Sequence, residues 1–183
     1  MVSFLIEGGV PLRGEVLVSG SKNAALPILT ATLLTDEPCV LNNVPDIEDT
    51  RTMVEILRIL GKGVTFGKNR VTVWKGRPVY KPIPQKLICK MRASVLLLGP
   101  LLARFGRANL SLPGGCILGK RSFHTHLDAF SQLGIINDST EDELKLKIPN
   151  SFKGALKGGK VVLREFSVTA TENIILTASA SQA

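Results

Sequence analysis

Three stretches of this chain, residues 24–34, 92–105 and the run from 172 onward, are dominated by small and apolar side chains and are each introduced by polar residues. A helix that is apolar on every side has no face to offer water and must be enclosed by other elements. After the first two stretches comes an amphipathic partner. One carries Met53, Ile56, Leu57 and Leu60 at helical spacing and stops at Gly61; the other carries Phe123, Leu127 and Phe130 and stops at Leu133-Gly134. The recurrence at roughly 70 residues indicates a repeated α/β supersecondary unit, each copy covering the apolar face of its neighbour. The third copy reaches Ser181-Gln182-Ala183 inside its expected buried helix. A unit without its partners leaves apolar surface uncovered, so a fragment is expected.

Between these helices the pattern is strand-like. Residues 4–7 and 15–18 read as two strands joined through Gly8, Gly9, Pro11 and Gly14. Ser19 and Ser21 offer capping oxygens to the helix at 24–34, and Pro27 falls in its first turn, where a missing N–H costs nothing. A strand is expected at 39–43, then a turn through Val44-Pro45-Asp46 and a helix capped near Asp49. Residues 64–66 and 71–74 form a hairpin across Gly67-Lys68-Asn69, and 78–84 is linker-like. Further strands are expected at 109–112, 134–136, 144–148 and 161–163, before a polar 167–171 and the last helix.

Charge and cysteine usage narrow the function. The 183 residues suffice for one good-sized core or two small ones. The formal charge is +8, but the cations are scattered and aromatics make up 5% of the chain, too few for a base-stacking platform. Phosphorylated small molecules fit better than nucleic acid. Cys39, Cys89 and Cys116 are odd in number and show no zinc-type spacing, which suits free thiols in a reducing compartment. The opening MVSFLIEGG lacks a basic n-region and a long enough apolar core, so no signal peptide is expected. The most apolar stretch, 93–105, is broken by Gly99-Pro100 and Arg104 and is too short for a bilayer. A cytoplasmic protein without a membrane partner is expected.

Two features point to chemistry. In LSLPGGCILGKR, residues 110–121, a strand-like run breaks at Pro113-Gly114-Gly115 and presents Cys116 on a loop closed by Lys120 and Arg121. Nearby cations favour the thiolate and attract an anion, whereas the plainer reading of Cys116 is a small packed hydrophobe. Lys22 and Asn23 fall at a helix N-terminus, where free N–H groups favour an anion. Lys22 also reads as an ordinary solvated charge.

The motifs SGSKNAALPIL, MRASVLLLGPLLARFG, LPGGCILGKR and SVTATENI occur in that order and span the whole chain. Together they closely resemble the UDP-N-acetylglucosamine 1-carboxyvinyltransferase family, the enolpyruvyl transferases that open peptidoglycan synthesis, over the first half of the family's chain. The resemblance implies an inside-out α/β barrel of repeated βαβαββ units with the third unit truncated. Residues 1–20 would be a strand pair belonging to a missing second domain, and 21–183 an incomplete transferase domain. The implied reaction moves the enolpyruvyl group of phosphoenolpyruvate to the 3-hydroxyl of UDP-N-acetylglucosamine and releases phosphate, with no metal and no cofactor. Such chemistry needs an acid for the methylene carbon and cations for phosphate and carboxylate.

By resemblance, Cys116 is the proton donor and the residue alkylated by fosfomycin, and Lys22 and Asn23 contact phosphoenolpyruvate. Arg92, Arg121, Ser122, Phe123, His124, Thr125, Glu165, Phe166, Ser167 and Val168 serve the nucleotide sugar, Arg121 also the phosphate. Three departures stand out. His124 replaces the family's usual Asp, Thr169 replaces a usual Gly that puts that turn's backbone in question, and His126 alone keeps its type in Ser122-Phe123-His124-Thr125-His126. The family's general-base Asp and one phosphoenolpyruvate-binding Arg lie in the half not present, expected as the structural complement. Activity of the lone chain is therefore not expected. The alternative is a non-catalytic nucleotide-sugar or anion-binding module. The related shikimate-pathway transferases share the fold but lack this Cys loop.

Overall fold

A computed structural model describes residues 3–114, 122–149 and 156–180. Helix α1 (Lys22–Ala31) starts where Ser21 Oγ accepts the Ala24 N–H at 3.3 Å, and it tightens into a 3-10 turn at Thr32–Leu34. Leu26, Leu29 and Leu33 form its buried stripe. The helix begins two residues before the expected position, which moves Pro27 into the second turn. There its missing N–H removes the helical donor for the Asn23 carbonyl.

After α1 come β1 (Cys39–Leu41), α2 (Glu48–Ile59), β2 (Val64–Gly67) and β3 (Arg70–Val73), with β3 paired antiparallel to both other strands. The β2–β3 turn places Lys68 and Asn69 at φ of 52° and 56°, the left-handed pair that matches the twist of a two-residue hairpin. Asp49 does not cap α2; Ile47 occupies the N-cap, and Thr50 Oγ1 accepts the Ile47 N–H at 3.3 Å while donating to the Pro45 carbonyl at 2.6 Å. Asp49 lies instead in the first turn, beside the positive end of the helix.

The second unit repeats this order. A short helix α3 (Gln85–Ile88) leads to a 3-10 segment at Arg92–Leu97 and to α4 (Leu98–Phe105). Then follow β4 (Arg107–Ser111), α5 (His124–Gln132), β5 (Ile136–Asn137) and β6 (Glu143–Lys147), again with the second hairpin strand in the middle of the sheet. The two amphipathic helices also end alike. Gly61 (φ +88°) donates to the Arg58 carbonyl and Lys62 to Leu57; Gly134 (φ +77°) donates to Ser131 and Ile135 to Phe130. Both are Schellman caps, and only glycine adopts that turn without strain. The residue after each glycine is buried, Lys62 in one unit and Ile135 in the other. Lys62 manages this by donating from Nζ to the carbonyls of Thr35 (2.9 Å) and Gly76 (2.8 Å), and burial holds its pKa below the ordinary lysine value.

Helix α6 (Val168–Ala178) opens the third unit and begins four residues before the expected start. Ser167 is its N-cap and accepts the Ala170 N–H at 3.3 Å. It packs on α4, where Gly99 lets the helices close: a Cβ there would stand 2.7 Å from the Asn173 carbonyl oxygen.

Of the three small-residue helices, α4 is the enclosed one. The outer two bury a single face and leave Ile28 (48% exposed) and Ile175 (61%) open, because each has neighbours on one side. The strands expected at 4–7, 15–18 and 161–163 do not form. A strand needs a ladder, and residues 3–18 meet none, leaving Phe4, Leu5 and Leu17 about nine-tenths exposed. At Val162 both backbone groups bond the Gln132 side-chain amide, at 2.9 Å each, in place of another strand.

Candidate active-site cleft

A cleft of about 890 Å³ opens where the first turns of α1, α5 and α6 meet the segment before α4. Three helix N-termini, the positive ends of their dipoles, thus border it. From α1 come Lys22, Asn23 and Leu26; from α2, Asp49; from the segment before α4, Lys90, Met91, Arg92 and Ala93. The Ser94 hydroxyl, fully buried, steadies that last segment by donating to the Ile88 carbonyl at 2.8 Å. Ser122, Thr125 and His126 line the cleft from the start of α5, and residues 165–169 from the start of α6.

The cations here are held. Lys22 Nζ lies 3.0 Å from Asp49, so an incoming anion competes with that carboxylate. Arg92 donates to the Ser122 carbonyl at 3.2 Å and stacks its guanidinium 4.4 Å from the Phe123 ring centroid. On the opposite side, Thr125 Oγ1 donates to Glu165 Oε1 at 2.7 Å, and His126 Nε2 shares a hydrogen bond with Thr169 Oγ1 at 3.0 Å. His126 is 3% exposed, and burial first, then the Arg92 charge, pulls its pKa down to about 4. The imidazole is therefore neutral at pH 7. Its buried Nδ1 has no hydrogen-bond partner among the described residues.

Most of the residues expected to form a site thus share one cavity: Lys22, Asn23, Arg92, Ser122, Thr125, Glu165, Phe166, Ser167 and Val168. Phe123 lies under Arg92, half-buried. His124, the first residue of α5, is exposed and stands outside the lining. Cys116, Lys120 and Arg121 lie outside the described residues. The stem leading to them is anchored on the end of α3: the Gly114 N–H points to the Ile88 carbonyl at 3.5 Å, and a Cβ on Gly114 would stand 2.0 Å from the Cys89 carbonyl oxygen.

Thr169 sits in the first turn of α6 with no positive φ, so the threonine that raised doubt about this backbone is an ordinary helical residue. Sequence reading missed Asp49 and Lys90 as lining residues. Nothing local marks them, since α2 and the α3–α4 connection reach the cleft only through tertiary packing. His126 carried a signal, being the one residue of its pentad that kept its type. Among the described residues no cluster of His, Cys, Asp and Glu is placed to hold a metal ion, and no helix is long and apolar enough to cross a membrane.

Comparison with known proteins adds three findings. A family model described as EPSP synthase (3-phosphoshikimate 1-carboxyvinyltransferase) matches residues 6–183. The UDP-N-acetylglucosamine 1-carboxyvinyltransferase of Elusimicrobium minutum is 44% identical over 179 residues, 98% of this chain and 41% of that protein. The one from Shewanella amazonensis is 44% identical over 174 residues, 95% and 41%. The chain thus spans about two fifths of the length of these relatives. Among solved structures, the enolpyruvyl transferase NikO from Streptomyces tendae aligns with a TM-score of 0.76 at 22% identity, covering 95% of this chain and 40% of its own. EPSP synthase from Acinetobacter baumannii gives 0.72 at 16%, covering 92% and 38%. Both show the same fold.

Proposed function

We propose, from the premise that this chain belongs to the EPSP synthase family of carboxyvinyltransferases, that it supplies one side of the active site of a UDP-N-acetylglucosamine 1-carboxyvinyltransferase. The observation that carries this reading is the convergence of Lys22, Asn23, Arg92, Thr125 and residues 165–168 on one cleft at three helix starts. The LPGGC motif and the names of the 44% identical relatives favour this branch over the shikimate one.

In the proposed reaction the sugar 3-hydroxyl gives its proton to the general-base Asp expected in the half not present and its oxygen adds to the central carbon of phosphoenolpyruvate, while the methylene carbon of phosphoenolpyruvate takes a proton. Loss of that carbon's proton and of phosphate then restores the double bond. Cys116 is the proton donor. Lys22 and Asn23 take the anionic end of phosphoenolpyruvate, with Arg121 at the departing phosphate, where fixed donors count most as charge develops. Arg92, over the Phe123 ring and tied to Ser122, orients the nucleotide sugar.

The same reading makes the domain part of an inside-out barrel of βαβαββ units, with 1–20 crossing to a second domain; the bare apolar side chains of residues 4–18 support it. It also places the protein in the cytoplasm, on the route to cell-wall peptidoglycan, as a target for fosfomycin.

Calorimetric titration of the 183-residue chain with UDP-N-acetylglucosamine tests the proposal, alongside phosphate release from both substrates. The expected result is saturable binding weakened about tenfold or more in Arg92→Ala, by loss of a charged hydrogen-bond donor. Binding without phosphate release is expected of the lone chain. Release that appears when the missing half is supplied supports the transferase reading, and its continued absence then is the signature of the binding-module alternative. Release that survives Cys116→Ala contradicts the role given to that thiol. A folded chain that binds neither substrate refutes the proposal.

A further inference from the structure

The cleft wall at 165–169 is held in an unusual way. Its central side chains, Phe166 (94% exposed) and Val168 (56%), pack against little, so apolar burial does not fix the segment. It is tied instead at both ends to two consecutive residues of α5. Thr125 Oγ1 donates to Glu165 at 2.7 Å, and His126 Nε2 bonds Thr169 Oγ1 at 3.0 Å. Between these ties lies Ser167, whose hydroxyl caps α6. His126 is well placed to act as a post. It is 3% exposed, packs edge-on against Phe123 at 6.0 Å between ring centroids, and among the described residues its ring makes one hydrogen bond, the one to Thr169.

We infer that His126 and Thr169 are positioning residues: their hydrogen bond, with Thr125–Glu165, sets the shape of the wall 165–169 against which a nucleotide sugar binds. The ligand half of this inference rests on the function proposed above; the structural half does not. Thr169 acts through the wall and need not touch the ligand.

The test replaces the hydroxyl alone. Thr169→Val keeps the volume and removes the bond, and Thr169→Ser restores it. In Thr169→Val, amide hydrogen exchange at 165–170 is expected to quicken about tenfold, the size of one lost hydrogen bond. The 15N signals of the His126 ring should move as its Nε2 partner disappears, and the Kd for UDP-N-acetylglucosamine should rise by a similar factor. Thr169→Ser should return all three readouts toward the parent values. Unchanged exchange in a folded Thr169→Val chain overturns the inference outright. Faster exchange with an unchanged Kd overturns the positioning role. If the parent chain binds no UDP-N-acetylglucosamine, the proposed function fails instead, and exchange still decides whether the hydrogen bond holds the wall.

Discussion

Asn173→Ala is expected to destabilise the chain by about 3 kcal/mol, which for a domain of this size lowers the melting temperature by roughly 6–12 °C. Asn173 is fully buried on α6 and bridges to α4 with both ends of its amide: its oxygen accepts the Gly99 N–H at 2.8 Å, and its nitrogen donates to the Val95 carbonyl at 3.0 Å. Gly99 and Val95 are themselves buried, so no water replaces the lost partners: the Gly99 N–H loses its side-chain acceptor at a desolvation cost of about 1–3 kcal/mol, and the Val95 carbonyl, which keeps the Leu98 N–H, loses its second bond at about 1 kcal/mol. Asn173→Asp should be worse. A carboxylate still accepts from Gly99 but faces the Val95 carbonyl with no proton to offer, as an unpaired buried charge. Gly99→Ala attacks the same seam sterically, since its methyl would meet the Asn173 backbone oxygen at 2.7 Å and force the helices apart. Differential scanning calorimetry of the three variants checks this, and a melting temperature for Asn173→Ala within about 2 °C of the parent contradicts it.

That seam illustrates what the amino-acid pattern conveyed and what it left hidden. Gly61 and Gly134 announced their helix ends because a Schellman cap is a local event, settled by the one residue that tolerates positive φ. Met53, Ile56, Leu57 and Phe130 announced a buried face for the same reason: helical spacing is a property of one segment, and all four are fully buried. The strands expected at 4–7, 15–18 and 161–163 had the right composition, yet a strand exists only when another strand lies beside it. Enclosure of α1 and α6 was read from composition alone, and it depends on neighbours on every side, which those helices lack.

The site divides along the same line. Its helix-start residues were legible from capping logic and motif, whereas Asp49, paired with Lys22 across 27 positions of sequence, entered through packing. Lys62 is the sharpest case. A lysine after a helix-ending glycine reads as surface charge, but the second unit has Ile135 at the corresponding place, and both are buried because the cap turns that side chain inward.

Acid should weaken this fold through one histidine. In the unfolded chain His126 titrates near 6.5, and in the folded chain near 4, because burial and then the Arg92 guanidinium oppose its proton. Between those values the unfolded state binds more protons than the native state, so stability rises with pH there. The contribution of His126 is complete above about pH 6.5 and is lost as pH falls toward 4; the shift corresponds to roughly 3 kcal/mol. The groups in contact with the ring give no compensation: Phe123 and Thr169 are uncharged, the ring's one hydrogen bond among the described residues is to the Thr169 hydroxyl, and the charge that acts on it, Arg92, is cationic.

Urea unfolding between pH 7.5 and 4.5 should therefore show a steeper loss for the parent than for His126→Gln, which carries no titrating ring; carboxylate titration is common to both and cancels. Proton NMR of the imidazole reads the same quantity directly. His126 signals that titrate near 6.5 would remove both the stability argument and the picture of a buried neutral ring at the cleft wall. Signals unmoved until near pH 4 would establish that the post on which residues 165–169 rest is uncharged at neutral pH.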